Sequence, residues 1–207
     1  DILAAAKPGD NIRPAGEDIA AGALALSPGQ VLGPGEVGLA SALGLTHLTV
    51  TRRPRVAIVT TGSELVEPGE ALRPGAIYNS NRVAVAASVL RAGAELFGCL
   101  LVADDVSALE EALGKFAVAD LLITTGGVSV GDFDFVKVAL ERVGDIRFWR
   151  VLMKPGKPVA FGTVFGRPLF GLPGNPISAL VTFEMLVAPA LRRMAGRQDC
   201  LPVTVQA

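Results

Sequence analysis

The sequence predicts an α/β fold: a three-layer, mostly parallel sheet with helices on both faces, preceded by a short, partly helical segment. Three observations carry this prediction. Short unbroken apolar runs such as Arg55-Val56-Ala57-Ile58-Val59-Thr60-Thr61 read as strands buried on both faces. These runs alternate with helix-periodic stretches, and repeated βα units build a parallel sheet covered by helices. The chain has 207 residues, 50% of them hydrophobic and 19% charged, enough for a sizeable core and too apolar for a disordered polymer.

The elements follow in order. Residues 1–53 are rich in Gly and Pro, with a helix expected over 36–44 that Gly44 closes and an edge strand at Leu48-Thr49-Val50. Arg52-Arg53-Pro54 marks a boundary, because proline and its predecessor disfavour continuing either element. A strand at 55–61 leads through Gly62 to a helix over 80–93, with Ser80 as N-cap and Val83, Ala86, Ala87 and Leu90 as the inward face. A strand at 95–102, a helix at 107–117 with a Ser107/Glu110 capping box, a strand at 120–124 and a helix at 134–143 continue the alternation. Strands are expected at 146–152, 158–165 and 168–171, the last two forming a hairpin through Phe165-Gly166-Arg167. A long helix over 176–194 would bury Leu180, Phe183, Leu186, Val187 and Leu191.

Composition narrows the function classes. With 19 Lys+Arg against 20 Asp+Glu the net charge is −1, so no broad positive field draws the chain to nucleic acid or to acidic membranes. Any anion site must be local. No apolar run approaches the about 20 residues of a membrane span. Cys99 and Cys200 fit neither a disulfide framework nor a zinc pattern, which points to a reducing cytoplasm. The chain opens at Asp1 and stops just after Val203-Thr204-Val205, a strand-like run, so both ends read as cut.

In doubly covered parallel sheets, ligands bind beyond the carboxyl ends of the strands. Five segments there carry chemistry. Thr60-Thr61-Gly62-Ser63-Glu64-Leu65 follows the first strand, and Gly126-Gly127-Val128-Ser129-Val130-Gly131-Asp132-Phe133-Asp134 follows that at 120–124. Free N–H groups and hydroxyls at a helix entrance favour phosphate, although tight turns with ordinary caps account for the same composition. Asp132 and Asp134 offer oxygen ligands for Mg2+ beside that cradle; one of them would suffice as a helix cap. Met153-Lys154-Pro155-Gly156-Lys157-Pro158 holds two lysines on a stiff turn, suited to a tetrahedral oxyanion, or stands as a solvated hairpin. Leu172-Pro173-Gly174-Asn175-Pro176-Ile177-Ser178 opens the last helix, and Tyr78-Asn79-Ser80-Asn81-Arg82 precedes another, either as a donor cluster or as a plain cap and turn. His47 stands alone, Phe148 and Trp149 read as packing, Asp104-Asp105 follows a strand and could face the site although a turn is the cheaper explanation, and neither cysteine has the basic neighbours that activate a thiol.

These five motifs, in this order, together with Asn11-Ile12-Arg13-Pro14-Ala15-Gly16-Glu17-Asp18-Ile19 upstream, resemble those of MoeA-type molybdopterin molybdenumtransferases, relatives of the gephyrin E domain. The resemblance implies the last step of molybdenum cofactor assembly. Molybdate enters the dithiolene of adenylylated molybdopterin, and the adenylate is hydrolysed with release of AMP in a Mg2+-dependent step. It implies that Lys157, Pro158 and Ser178 line a molybdate pocket. Residues and resemblance together set out one site. Asp132, Lys157 and Ser178 carry the chemistry. Thr61, Gly62, Glu64, Asn79, Ser80, Asn81, Arg82, Gly126, Gly127, Ser129, Gly131, Lys154, Pro158, Pro173, Gly174 and Asn175 bind the substrate, and Asp132 with Asp134 holds Mg2+.

Two departures reduce the negative charge near the expected cation: Ser63 stands where the family usually has Asp, and Asn79 where it often has Asp. The resemblance also implies a homodimer in the full-length protein and contact with a molybdopterin adenylyltransferase. On that basis residues 1–53 belong to an upstream domain, 54–196 form the molybdopterin-binding α/β domain, and 197–207 begin a further β domain. Two rivals stand beside the insertase: a molybdopterin adenylyltransferase on the same fold, and a non-catalytic molybdopterin-binding or scaffolding module. The Asn11–Ile19 segment and the Lys-Pro-Gly-Lys-Pro and Pro-Gly-Asn-Pro turns favour the insertase.

Overall fold

The structure is a computed structural model that describes residues 5, 7–127 and 134–201, with the backbone alone for Asp134, Phe148 and Trp149. The chain divides into two compact units, Asp1–Thr49 and Val50–Ala207.

The first unit is mostly turns and carries helix α1 (Pro34–Ala42). Proline in its first turn supplies a preset φ, and Glu36 turns back to accept the Gly33 N–H at 2.9 Å. Gly44, at φ +77°, lies just past the end of the helix, where a left-handed residue lets the chain turn away. The helix therefore starts and ends two residues earlier than the expected 36–44, because Gly44 stands outside it. Leu48, Thr49 and Val50 form no strand: all three are exposed and pair with no neighbour, and β propensity without a ladder partner does not make a strand.

In the second unit the strands are β1 (Arg55–Thr61), β2 (Leu65–Val66), β3 (Ile77–Tyr78), β4 (Glu95–Val102), β5 (Leu121–Thr125), β6 (Gly144–Arg150), β7 (Pro158–Val164) and β8 (Arg167–Leu172). The helices are α2 (Ser80–Arg91), α3 (Val106–Lys115), α4 (Asp134–Val143), α5 (Pro176–Thr182) and α6 (Ala188–Met194), the last two joined by a π-helical turn over Phe183–Val187. The main sheet has the order β4-β1-β5-β8-β7-β6. Its first four strands run parallel, and β7 and β6 complete it antiparallel. Strands β2 and β3 make a small parallel pair beside it.

Strand alternation distributes the core to both faces. Ala57 and Val59 of β1 pack with Leu109, Leu113, Val136 and Leu140 of α3 and α4, whereas Val56 and Ile58 pack with Val85, Val89, Phe183, Val187 and Leu191 on the other side. The fold is thus the expected mostly parallel sheet between two helical layers. Among the described residues no helix is long and apolar enough to cross a membrane.

Several local expectations are corrected. Helix α2 is capped by Asn79, whose Oδ1 accepts the Arg82 N–H, not by Ser80. Its inward stripe is Val85, Ser88, Val89 and Ala92, while Val83 and Leu90 are 52% and 58% exposed. Both stripes have helical spacing, and Ser88 tolerates burial because its hydroxyl donates to the Ala84 carbonyl at 2.9 Å. Helix α3 is capped by Asp105, which accepts the Ala108 N–H at 2.8 Å; Glu110 pairs instead with Arg142 of α4 at 3.3 Å. The last helix is not uniform. It widens at Phe183–Val187 just ahead of Pro189, whose ring excludes the normal bond to the Met185 carbonyl. Phe183, Val187 and Leu191 are fully buried as expected, with Leu180 and Leu186 half-buried.

Candidate functional site

The register of the sheet brings the chemistry-bearing loops to one edge. Thr60 of β1 pairs with Thr125 of β5, Thr125 with Leu172 of β8, and Thr61 with Val102 of β4, so these parallel strands end side by side. Strand β7 runs the other way and starts at Pro158, which puts the Lys154–Lys157 loop at the same edge. Five connections therefore converge there.

Close backbone approach holds the first loops together. A β-carbon on Gly126, at φ +90°, would lie 2.4 Å from the Thr61 carbonyl oxygen, so only glycine fits. On the other side, Gly174 comes within 3.6 Å of the Gly126 Cα by the same measure. Asn81 ties this junction from α2, its Nδ2 donating to the Gly174 carbonyl at 2.7 Å. Among the described residues, the hydroxyls of Thr61 and Thr124 and the Oδ1 of Asn81 are buried with no hydrogen-bond partner. Unsatisfied buried polar atoms are unusual and call for a reason, such as a bound ligand or solvent.

The next shell is polar and interlocked. Asn79, 1% exposed, donates from Nδ2 to Thr60 Oγ1 at 2.9 Å and to Glu67 Oε1 at 3.0 Å. Glu67 Oε2 pairs with Arg82 at 2.5 Å. The Asn79 carboxamide thus serves as a donor toward Thr60 and Glu67, a role that an ionised Asp cannot fill. The backbone N–H and hydroxyl of Ser63 both donate to Asp104 Oδ2 at 2.8 Å, and Arg73 donates to the Ser63 carbonyl. Asp104 is therefore a partner of the first loop and not merely a turn residue, and Asp105 is the cap.

At the far side of the edge, Asn175 caps α5 by accepting the Ser178 N–H at 3.2 Å, with the Ser178 hydroxyl 3.4 Å from the same oxygen. Pro173 is buried, while Lys154, Lys157, Gly174 and Asn175 are exposed. Glu64 and Ser80 are exposed, and Gly62 turns at φ +153° under Glu64 and Leu65. Ser129, Gly131 and Asp132 lie outside the described residues, and Asp134 is placed only as the first residue of α4. Among the described residues no group of three or more His, Cys, Asp or Glu side chains could hold a metal ion.

Sequence reasoning passed over Glu67 and Arg73, and for Asp104 it preferred a turn to a place at the site. Glu67 and Arg73 sit in Pro-Gly turns and carry no spacing signal; for Asp104 the position just after a strand was the available clue. The His47 ring pairs with the neighbouring Thr46 hydroxyl at 2.9 Å. The Cys99 thiol is pushed up by burial, which keeps it protonated and unreactive. A cavity of about 410 Å³ lies elsewhere, at the opposite sheet edge, lined by Arg52, Pro54, Asp120, Arg167 and Met194 among others. None of the expected site residues lines it, and it lies at the amino ends of the parallel strands, away from the edge where such sheets bind ligands.

A parallel sheet with a glycine cradle at its carboxyl edge defines a class, and comparison with known proteins names it. The chain belongs to the family described as "Probable molybdopterin binding domain", which it matches over residues 57–193. Residues 1–44 match the MoeA N-terminal region (domain I and II), so the chain is of the MoeA type. It is 47% identical over 201 residues to molybdopterin molybdenumtransferase 2 of Mycobacterium tuberculosis, covering 94% of this chain and 50% of that protein. It is 42% identical over 194 residues to the molybdopterin molybdenumtransferase of Haemophilus influenzae, covering 93% and 48%. A solved MoeA protein from Pyrococcus horikoshii superposes with a TM-score of 0.80 at 36% identity, covering 89% of this chain and 46% of that one. The chain spans about half the length of the curated relatives it matches.

Proposed function

We propose that this chain supplies the molybdopterin-binding domain of a molybdenum-insertion enzyme, which places molybdate in the dithiolene of adenylylated molybdopterin and hydrolyses the adenylate to release AMP. The observation that carries this reading is the convergence of the Thr61-Gly62, Gly126-Gly127, Pro173-Gly174 and Lys154–Lys157 segments on one sheet edge, with Asn81 tying the start of α2 to the Pro173-Gly174 turn. Names of the relatives support it, since those of M. tuberculosis and H. influenzae are molybdopterin molybdenumtransferases.

In this reading the N–H groups of the Gly126-Gly127 loop and the entrance of α4 hold phosphate oxygens, where the helix dipole adds to the attraction. Lys154 and Lys157 offset the molybdate dianion, and the Ser178 hydroxyl donates to one of its oxo groups. Asn81 and Gly174 keep the two halves of the cradle in register, and Asp104, held by Ser63, adds a fixed carboxylate at its rim. The donor chemistry fits Mg2+: Asp132 and Asp134 would hold it with hard carboxylate oxygens, beside a cradle with unpartnered Thr61 and Thr124 hydroxyls. When bound, the cation supplies charge neutralisation at the phosphoanhydride. The same reading includes a homodimer, contact with a molybdopterin adenylyltransferase and a cytoplasmic location.

The test is AMP release from adenylylated molybdopterin by this chain with Mg2+ and molybdate. Release that needs molybdate and falls by about 100-fold or more in Lys157→Ala and Asp132→Asn carries the reading. Release that ignores both substitutions defeats it, as does formation of adenylylated molybdopterin from ATP.

A further inference from the structure

The turn bearing the two lysines is seated on α5 through one close approach. Gly156 is buried at φ +103°, and a β-carbon there would lie 2.6 Å from Thr182 Oγ1, 2.7 Å from Met153 Cε and 3.5 Å from the Ser178 carbonyl oxygen. Backbone bonds from Val151 N–H to the Lys157 carbonyl and from Met153 N–H to the Val151 carbonyl, both 2.8 Å, close the base of the loop. Its Gly156 tip rests over the helical turn between Ser178 and Thr182.

Thr182 is an unexpected residue at such a place. It is fully buried, and among the described residues its hydroxyl has no hydrogen-bond partner. A buried, unsatisfied hydroxyl is unfavourable, so the hydroxyl's bonding does not account for the residue. Its shape does. A side chain one methylene larger would occupy the space that the Gly156 backbone fills, and packed interiors transmit such a change as displacement.

We infer that Thr182 is a positioning residue for the lysine turn: its volume sets how deeply Gly156 seats on α5, and so where Lys154 and Lys157 stand relative to Ser178. The consequence for molybdate rests on the function proposed above; the seating does not.

The experiment uses the full 207-residue chain with its five lysines reductively 13C-methylated, followed by NMR and titrated with inorganic molybdate. Thr182→Ile is expected to move the Lys154 and Lys157 signals, to leave those of Lys7, Lys115 and Lys137 in place, and to weaken the molybdate response by about 10-fold or more. Thr182→Val, which keeps the shape and drops the hydroxyl, is expected to match the parent in signals and in molybdate affinity. Gly156→Ala moves the same two signals without altering α5, and stands in where Thr182→Ile fails to fold. A folded Thr182→Ile or Gly156→Ala variant whose Lys154 and Lys157 signals stay in place overturns the inference. Parent signals that ignore molybdate, with the variants still displaced, uphold the seating and defeat the molybdate reading instead.

Discussion

The Asn81 carboxamide donates to the Gly174 carbonyl at 2.7 Å, joining the start of α2 to the turn before α5 across 93 residues of sequence. Gly174 in turn lies close to Gly126, so the Asn81 tie is made where the glycine turns after β5 and β8 approach each other.

Replacing Asn81 by Ala removes this tie. The Gly174 carbonyl is in an exposed turn and gains water, so the expected loss of stability in urea unfolding is only about 1 kcal/mol. On the function proposed above, AMP release should fall further, by about 100-fold, because the Gly174 turn loses its tie to α2. Equal losses in both measurements would place Asn81 in the scaffold alone.

Gly126→Ala should be far more damaging. The added carbon would meet the Thr61 carbonyl at 2.4 Å, and the residue already sits at φ +90°. The expected destabilisation is about 2–4 kcal/mol, from backbone strain and displacement of a buried strand end. Urea unfolding reads it directly, and a change below about 0.5 kcal/mol would mean that the turn relaxes freely.

Asp120 makes stability depend on pH at the opposite edge. Its carboxylate accepts from Arg52 at 2.6 and 3.0 Å and from the Arg55 N–H at 2.7 Å, and the Arg52 bond above all lowers its pKa to about 2. A depressed folded-state pKa stabilises fully above the ordinary carboxylate value and is lost as pH falls from about 4 toward about 2. Arg52 is largely exposed, so solvent screening reduces the contribution to about 1 kcal/mol or less. Asp120→Asn should flatten the acid limb of the melting-temperature profile in that window.

The β7–β8 hairpin turns on Phe165 and Gly166, at φ +49° and +71°. Phenylalanine tolerates the left-handed region poorly, whereas asparagine enters it readily. Phe165 is exposed and packs little, so Phe165→Asn is expected to raise the unfolding free energy by about 0.5–1 kcal/mol. A lower thermal midpoint would show that the ring has a contact worth more than the strain.

Much of the fold was readable along the chain. Strand β1 is buried from Val56 to Thr61 and apolar from Val56 to Val59, because a central parallel strand is covered on both faces. The Phe165-Gly166 turn announced the hairpin. The glycine turns likewise lie where local sequence put them, whereas the pairing of β6 with β7 was not legible there. The site was readable as loops after strands, and Asp104 as a residue that could face it, but Glu67 and Arg73 were not, nor was the Ser63 partner of Asp104, since these contacts span turns or as many as 41 residues.

Local chemistry decided the class of each element: runs of β-branched and aliphatic residues become strands, capping residues start helices, and glycine ends them. Choices between equally good local patterns were left to packing. In α2 the stripes Val83/Ala86/Ala87/Leu90 and Val85/Ser88/Val89/Ala92 have the same period, and the sheet selected the second. At the start of α2, Asn79 outcompeted Ser80 because only its amide also reaches Thr60 and Glu67. The depth of Gly156 on Thr182 and the span from Asn81 to Gly174 are likewise distances between elements far apart in the chain. Periodicity and propensity act over a few residues, and such separations exist only once the sheet has set the order and register of its strands.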